Sequence, residues 1–297
     1  MEITLYNKTQ DTSLLLSQDS FEFVLETVDW GSVRSNSNTT RYINLLGVNV
    51  DSTYLQPRNI NIVLWLVAQS PERMTEKKTF MNKFINPLQD IECVYKEYSL
   101  IIRPDSSIQY DNTDIRLNNQ ILCRCLIQAT AYMPLWGLAQ NNIVTSKDIK
   151  KLPFWPLVIP EDTGKVFGII PEGTAYDITN TGDVDVGFIA IFEATGSVEN
   201  PKLTNNISGK YIEVGVTLAA GDILTVSTVT GNKYAKLQSS GVETDVLKDI
   251  SLQSSMNTLL VTGKNDFTLT ADSGADNIKL GISYSPLWFE IQEAEVY

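Results

Sequence analysis

The clearest pattern in the chain is the run Arg58-Asn-Ile-Asn-Ile-Val-Leu-Trp-Leu-Val67. Ile60, Ile62, Leu64 and Leu66 share one face, and Asn61, Val63, Trp65 and Val67 share the other, which predicts a strand. Past Asn61 both faces are apolar, so the strand is expected to be central or covered on both sides. Residues 1–6 alternate more weakly and read as an edge strand; residues 21–28 read as another. Residues 34–41 (Arg-Ser-Asn-Ser-Asn-Thr-Thr-Arg) show no buried-side pattern and are expected to be a loop, or an arm that orders only against a partner. One helix is predicted after Ser70, a capping residue followed by Pro71 and Glu72. Met74, Met81, Phe84 and Ile85 fall on its inner side, while Glu76, Lys77, Lys78 and Lys83 are expected on a solvated face. Asn86-Pro87 ends it. Residues 98–103, 108–110 and 121–129 are further strand candidates, and Met133-Pro-Leu-Trp136 closes the series.

Residues 151–168 interrupt the pattern. Pro153, Pro156 and Pro160 exclude a helix or a central strand. Phe154, Trp155, Leu157, Val158 and Ile159 make the stretch too apolar for a flexible linker. It reads as a stiff join between residues 1–150 and residues 169–297. The second part is nearly pure β, with candidates at residues 186–194, 211–218, 223–226, 258–261, 267–271 and 278–284. Thr230-Gly-Asn-Lys233 gives a hairpin signal, with Gly231 and Asn232 able to take positive φ. The expected architecture is mainly β: an N-terminal β-barrel or split sandwich with one α-helix, then an antiparallel β-sandwich. Residues 288–297 stay open between the two.

Composition narrows the chemistry. At 297 residues and 43% apolar, the chain is long enough for two ordinary cores, and no apolar run nears membrane-helix length. The start has no basic segment followed by an apolar one, so no export signal is expected. The net charge of −12 opposes general nucleic-acid binding. There is no histidine, which removes His-based triads, Cys–His dyads and His-ligated zinc. Cys123 and Cys125 fall on one strand face about 6.5–7 Å apart, at or beyond disulfide reach. With Cys93, they read as reduced, mostly buried thiols.

The 35 acids name no two-carboxylate glycosidase pair. Asp183 and Asp185 share a strand face, but the calcium-loop pattern is missing, so they read as solvated turn acids. Asp272-Ser-Gly-Ala-Asp-Asn277 reads as turn residues. Trp155, Tyr234, Tyr284 and Trp288 are the aromatics available for a sugar platform. No catalytic, cofactor-binding or metal-binding residue is assigned. The polar stretch 32–40 has a functional reading as an arm that adds to a neighbour's sheet edge.

The layout resembles the distal tail proteins of long-tailed bacteriophages, the siphovirus-type tail component family. In the first half the likeness rests on Arg58-Asn-Ile-Asn-Ile62, the helix running into Phe84-Ile-Asn-Pro87, Met133-Pro-Leu-Trp136, and the join into Val166-Phe-Gly168. In the second half it rests on Asn180-Thr-Gly-Asp183, Gly187-Phe-Ile-Ala-Ile-Phe192, Val198-Glu-Asn-Pro201, Gly221-Asp-Ile-Leu224, Thr230-Gly-Asn-Lys233, Gly263-Lys-Asn265 and Ala271-Asp-Ser-Gly274. The resemblance implies a ring-forming N-terminal (belt) domain that assembles as a homo-hexamer, and a galectin-like C-terminal sandwich facing outward. It implies a place in the virion tail tip or baseplate after synthesis in the host cytoplasm. The implied partners are the tail tube protein, tape measure protein, tail-associated or fibre protein and receptor-binding proteins. DNA would only pass through the lumen, no membrane is involved, and the resemblance carries no catalytic residue. The competing readings are a carbohydrate-binding module for host envelope glycans and a glycan hydrolase.

Overall fold

The computed structural model describes residues 1–42, 46–113, 116–139, 166–169 and 175–291. The chain divides into two compact units, Met1–Trp136 with Phe289–Tyr297, and Gly137–Trp288. The proline-rich stretch 151–165, including Trp155, lies outside the described residues. The allegiance that the sequence left open resolves at a single peptide bond: Trp288 belongs to the second unit and Phe289 to the first.

The first unit contains β1 (Glu2–Asn7), β2 (Thr12–Ser17), β3 (Phe23–Asp29), β4 (Arg34–Thr40), β5 (Asn49–Gln56), β6 (Arg58–Val67), α1 (Pro71–Phe84), β7 (Ile91–Tyr95), β8 (Tyr98–Pro104), β9 (Gln109–Tyr110) and β10 (Leu122–Ala131). Seven strands in the order β8-β7-β1-β2-β3-β6-β10 form a barrel, closed where Ala129 and Thr130 of β10 face Pro104 and Arg103 of β8. Closure removes open edges, the feature of a sheet most prone to unwanted pairing. β6 is central as its pattern required, lying between β3 and β10. Its inward face (Ile60, Ile62, Leu64, Leu66) is fully buried, and Val63, Trp65 and Val67 are half-buried. β1 is not an edge strand: it pairs with both β2 and β7. The strand Ile91–Tyr95, whose mixed sequence gives no alternation signal, lies between β1 and β8 and covers the side of β1 expected to be open.

α1 starts and stops as its sequence signals require. The Ser70 side chain accepts from the Arg73 amide, Pro71 opens the helix, and Met74, Met81, Phe84 and Ile85 are buried. The polar face is less free than its charges imply. Lys77 donates to the Val67 carbonyl at 2.6 Å and lies over the Phe23 ring; Lys78 donates to Asn118 Oδ1 at 2.9 Å. Long lysine stems cover apolar surface while their ammonium groups find nearby carbonyls.

The second unit packs a six-stranded sheet against a four-stranded one. The first runs in the order Val166–Ile169, Ile278–Tyr284, Phe188–Ala194, Ile223–Ser227, Tyr234–Ser239, Val242–Asp245; the second runs Ala175–Asn180, Gly263–Thr270, Lys202–Asn205, Tyr211–Glu213. Their inward faces meet in one core. Phe188 and Phe267, one from each sheet, touch edge to face with centroids 5.4 Å apart. Two sequence expectations change here. Residues 211–218 form two short strands, because Val214 and Gly215 leave the sheet to bond Pro201 and Asp249 carbonyls. Residues 258–261 contribute only a bridge from Leu260 to Val186. In the hairpin loop Gly231 takes positive φ and Asn232 does not.

Candidate assembly surface

The most distinctive surface of the first unit is the β4–β5 hairpin. It forms a two-stranded sheet of its own, inserted between β3 and β6, and every β4 residue is exposed. The reading of residues 34–41 as a loop, or as an arm that orders only against a partner, therefore gives way to a strand over Arg34–Thr40 paired within its own chain. Its lack of a buried face is real, because neither face of the ribbon is covered.

Local chemistry explains both the pairing and the separation from the barrel. Asn36 donates to the Tyr54 hydroxyl, Ser37 and Thr53 share a hydrogen bond, and Asn38 donates to Ser52 Oγ, at 2.9, 2.9 and 3.0 Å. A bulge between Asn38 and Thr39 skips Asp51, whose carboxylate accepts from Thr40 Oγ1 and, at 3.0 Å, from Asn49 Nδ2. Side-chain rungs thus do what an apolar face does elsewhere. At the root, β3 and β6 pair up to Asp29 and Asn61 and then part. Asp29 accepts from the Gly31 amide at 2.9 Å, and Gly31 has φ 62°. A Cβ there would stand 2.3 Å from the Asn59 carbonyl oxygen, so only glycine fits. On the other strand Pro57 offers no backbone donor.

The hairpin also displays apolar groups: Val48, Val50 and Tyr54 are exposed, as are Tyr42 and Leu46. A two-stranded ribbon alone in water is marginal, and its outer edges carry unpaired backbone groups. A second exposed apolar feature lies across the first unit beside α1. Phe21, 92% exposed, stands at a groove of about 590 Å³ lined also by Phe23, Val67, Lys77 and Phe80.

The other candidates do not converge on chemistry. Tyr284 and Trp288 are buried, with the Tyr284 hydroxyl donating to the Thr179 carbonyl at 2.6 Å and Trp288 Nε1 to the Thr181 carbonyl at 3.1 Å. Tyr234 is half-buried beside Lys236. The three thus serve packing, and no sugar platform forms from them. Asp185 accepts from the Thr262 amide at 2.9 Å; Asp272 accepts from Asn200 Nδ2 at 2.7 Å. Among the described residues no group of three or more acids and cysteines is placed to hold a metal. Cys93, Cys123 and Cys125 are free and buried, as the sequence implied. Cys125 donates to Cys123 across 3.9 Å. That bond, with Lys78 nearby, holds the Cys123 thiol down to about 7, while the same bond and burial push Cys125 up. Arg124 grips Glu26 with two bonds of 2.7 and 2.8 Å, which hold the Glu26 carboxyl below its ordinary value.

Residues 181–288 match the family model described as the siphovirus-type tail component, C-terminal domain. No curated protein matches the chain by sequence. The fold is similar to that of the SPP1 Dit protein, whose structure is described as a paradigm of the hub adsorption apparatus in phages infecting Gram-positive hosts. The TM-score is 0.68 at 9% identity, over 96% of this chain and 98% of that one. It is also similar to a chain of the phage P2 baseplate in its activated conformation with calcium, at TM-score 0.50 and 9% identity, over 96% and 97% of the two chains. The resemblance read from the sequence is thereby borne out: by the family match in the second unit, and by the fold over nearly the whole length.

Proposed function

We propose that this chain is a structural component of a phage tail tip or baseplate, where six copies form a ring. The observation that carries the reading is the β4–β5 hairpin, a paired ribbon with no covered face on an otherwise closed barrel. A barrel without open edges resists casual association, so a ribbon projecting from it concentrates self-association at that place. Head-to-tail contacts between a hairpin and the next copy close into a ring when the rotation divides the circle. Permanent contacts of this kind typically bury about 2,000–5,000 Å². Exposed Val50, Tyr54 and Phe21 are apolar contributors to such a contact.

In this reading residues 1–150 build the ring and residues 169–297 form an outward adaptor for adhesion proteins. The tail tube, tape measure and tail-associated proteins meet the ring along its axis. Six chains of −12 carry −72, and acid facing the lumen would repel passing DNA instead of capturing it. The work is done by shape and association, without catalysis.

The test is to image tail tips by negative stain with antibody against this chain, and to weigh the purified protein with and without its tail-tube partner. Label at the tip and a mass of six chains are expected. Absence of label from tails, or a single-chain mass even with the partner present, refutes the ring.

A further inference from the structure

Arg58 opens β6, on the same inward face as Ile60, Ile62, Leu64 and Leu66. Strand alternation therefore carries a guanidinium into the end of the barrel. It is 1% exposed, among the most buried large side chains of the protein. An isolated buried charge is costly, and it persists only when paired and hydrogen-bonded.

Its described partners all come from one place, far away in sequence. Arg58 Nη2 donates to the Phe289 carbonyl and lies 3.3 Å from a Glu290 carboxylate oxygen. Among the described residues its Nε and Nη1 have no hydrogen-bond partner. Burial pulls the Arg58 group down from its ordinary value, and Glu290 opposes that pull. Glu290 is largely exposed, so the backbone carbonyl of Phe289 is the partner that counts inside the protein. Arg58 also sits at the hairpin root: it follows Pro57, and a Cβ on Gly31 would stand 3.3 Å from its Cγ.

We propose that residues 289–291 are an obligatory strap of the first unit, holding Arg58 at the hairpin root, so that this unit closes only once the whole second unit has been synthesised. The division of the chain supports it, since the first unit is built from Met1–Trp136 and from Phe289 onward. Combined with the ring reading, on which only this consequence rests, the strap delays self-association until translation has passed Phe289.

The test is a double-mutant cycle on the full-length chain. One change ends the chain at Trp288. The other is Arg58→Met, which keeps an unbranched apolar stem and removes the guanidinium and its charge. Amide hydrogen exchange is read across β6 and β10, at dilution where the protein is a single chain. Truncation in the Arg58 background is expected to speed exchange on the order of 100-fold, as for a buried charge deprived of its partner. In the Arg58→Met background the same truncation is expected to matter at least tenfold less. If the truncated chain fails to fold, the proposal requires that the truncated Arg58→Met chain does fold. A difference between backgrounds below tenfold, or failure of both truncated chains to fold, overturns the strap. Because the readout concerns one chain, failure of the ring reading would leave this result standing.

Discussion

β6 and β4 are both strands of the first unit, yet one is held by everything around it and the other by a single neighbour. β6 pairs on both sides and buries Ile60, Ile62, Leu64 and Leu66 completely. β4 pairs only with β5 and buries nothing. The barrel strand draws its stability from apolar area removed from water. The ribbon depends on rungs of Asn, Ser, Thr and Tyr, each worth a fraction of a kcal/mol in water. A protein that keeps a ribbon so weakly supported gains little fold stability from it, which places the ribbon's value in what it meets outside the chain.

Substitutions can break that comparison or sharpen it. Leu64→Ala leaves a cavity in the closed barrel and should cost about 2–5 kcal/mol in urea or thermal unfolding. Tyr54→Ala should leave unfolding of the isolated chain within about 0.5 kcal/mol. The same change should weaken self-association by about 2 kcal/mol, measured by sedimentation, as for a buried aromatic anchor. If Tyr54→Ala instead destabilised the isolated chain as much as Leu64→Ala, the ribbon would be part of the fold and the contrast would fail. The smallest effect concerns the half-exposed pair of Glu26 and Arg124 on β3 and β10. Arg124 lowers the folded-state value of Glu26, so its contribution is present above the ordinary carboxylate range and disappears as pH falls through the folded-state value. Glu26→Gln should therefore cost under about 1 kcal/mol at neutral pH and nothing in strong acid, by urea titration at both.

Much of the first unit was legible because its signals are local. The cap at Ser70, the inner face of α1 and the alternation of β6 each fall within a few residues and need no distant partner. The β2 and β7 strands lack a clear period for the opposite reason: residues 12–17 set three leucines in a row between hydroxyl residues, residues 91–95 mix apolar groups with Glu92, and only their barrel neighbours decide which face is inward. The hairpin was half legible. Its polarity reads as a loop or an arm awaiting a partner, because a strand supported by side-chain rungs has no apolar period to detect. Tyr284 and Trp288 looked available for stacking, and only the sandwich showed them buried with their polar ends on carbonyls.

By itself the sequence determined the β class, the helix that follows Ser70 and the absence of histidine. These follow from periodicity, capping and composition, which act over one or two turns of chain. The tertiary structure decided that β1 is interior, that the barrel closes through β8 and β10, and that Arg58 turns inward to meet Phe289, 231 residues away. Such pairings are set by which surfaces can be removed from water together. No stretch of sequence records that choice until the chain has brought its distant parts into contact.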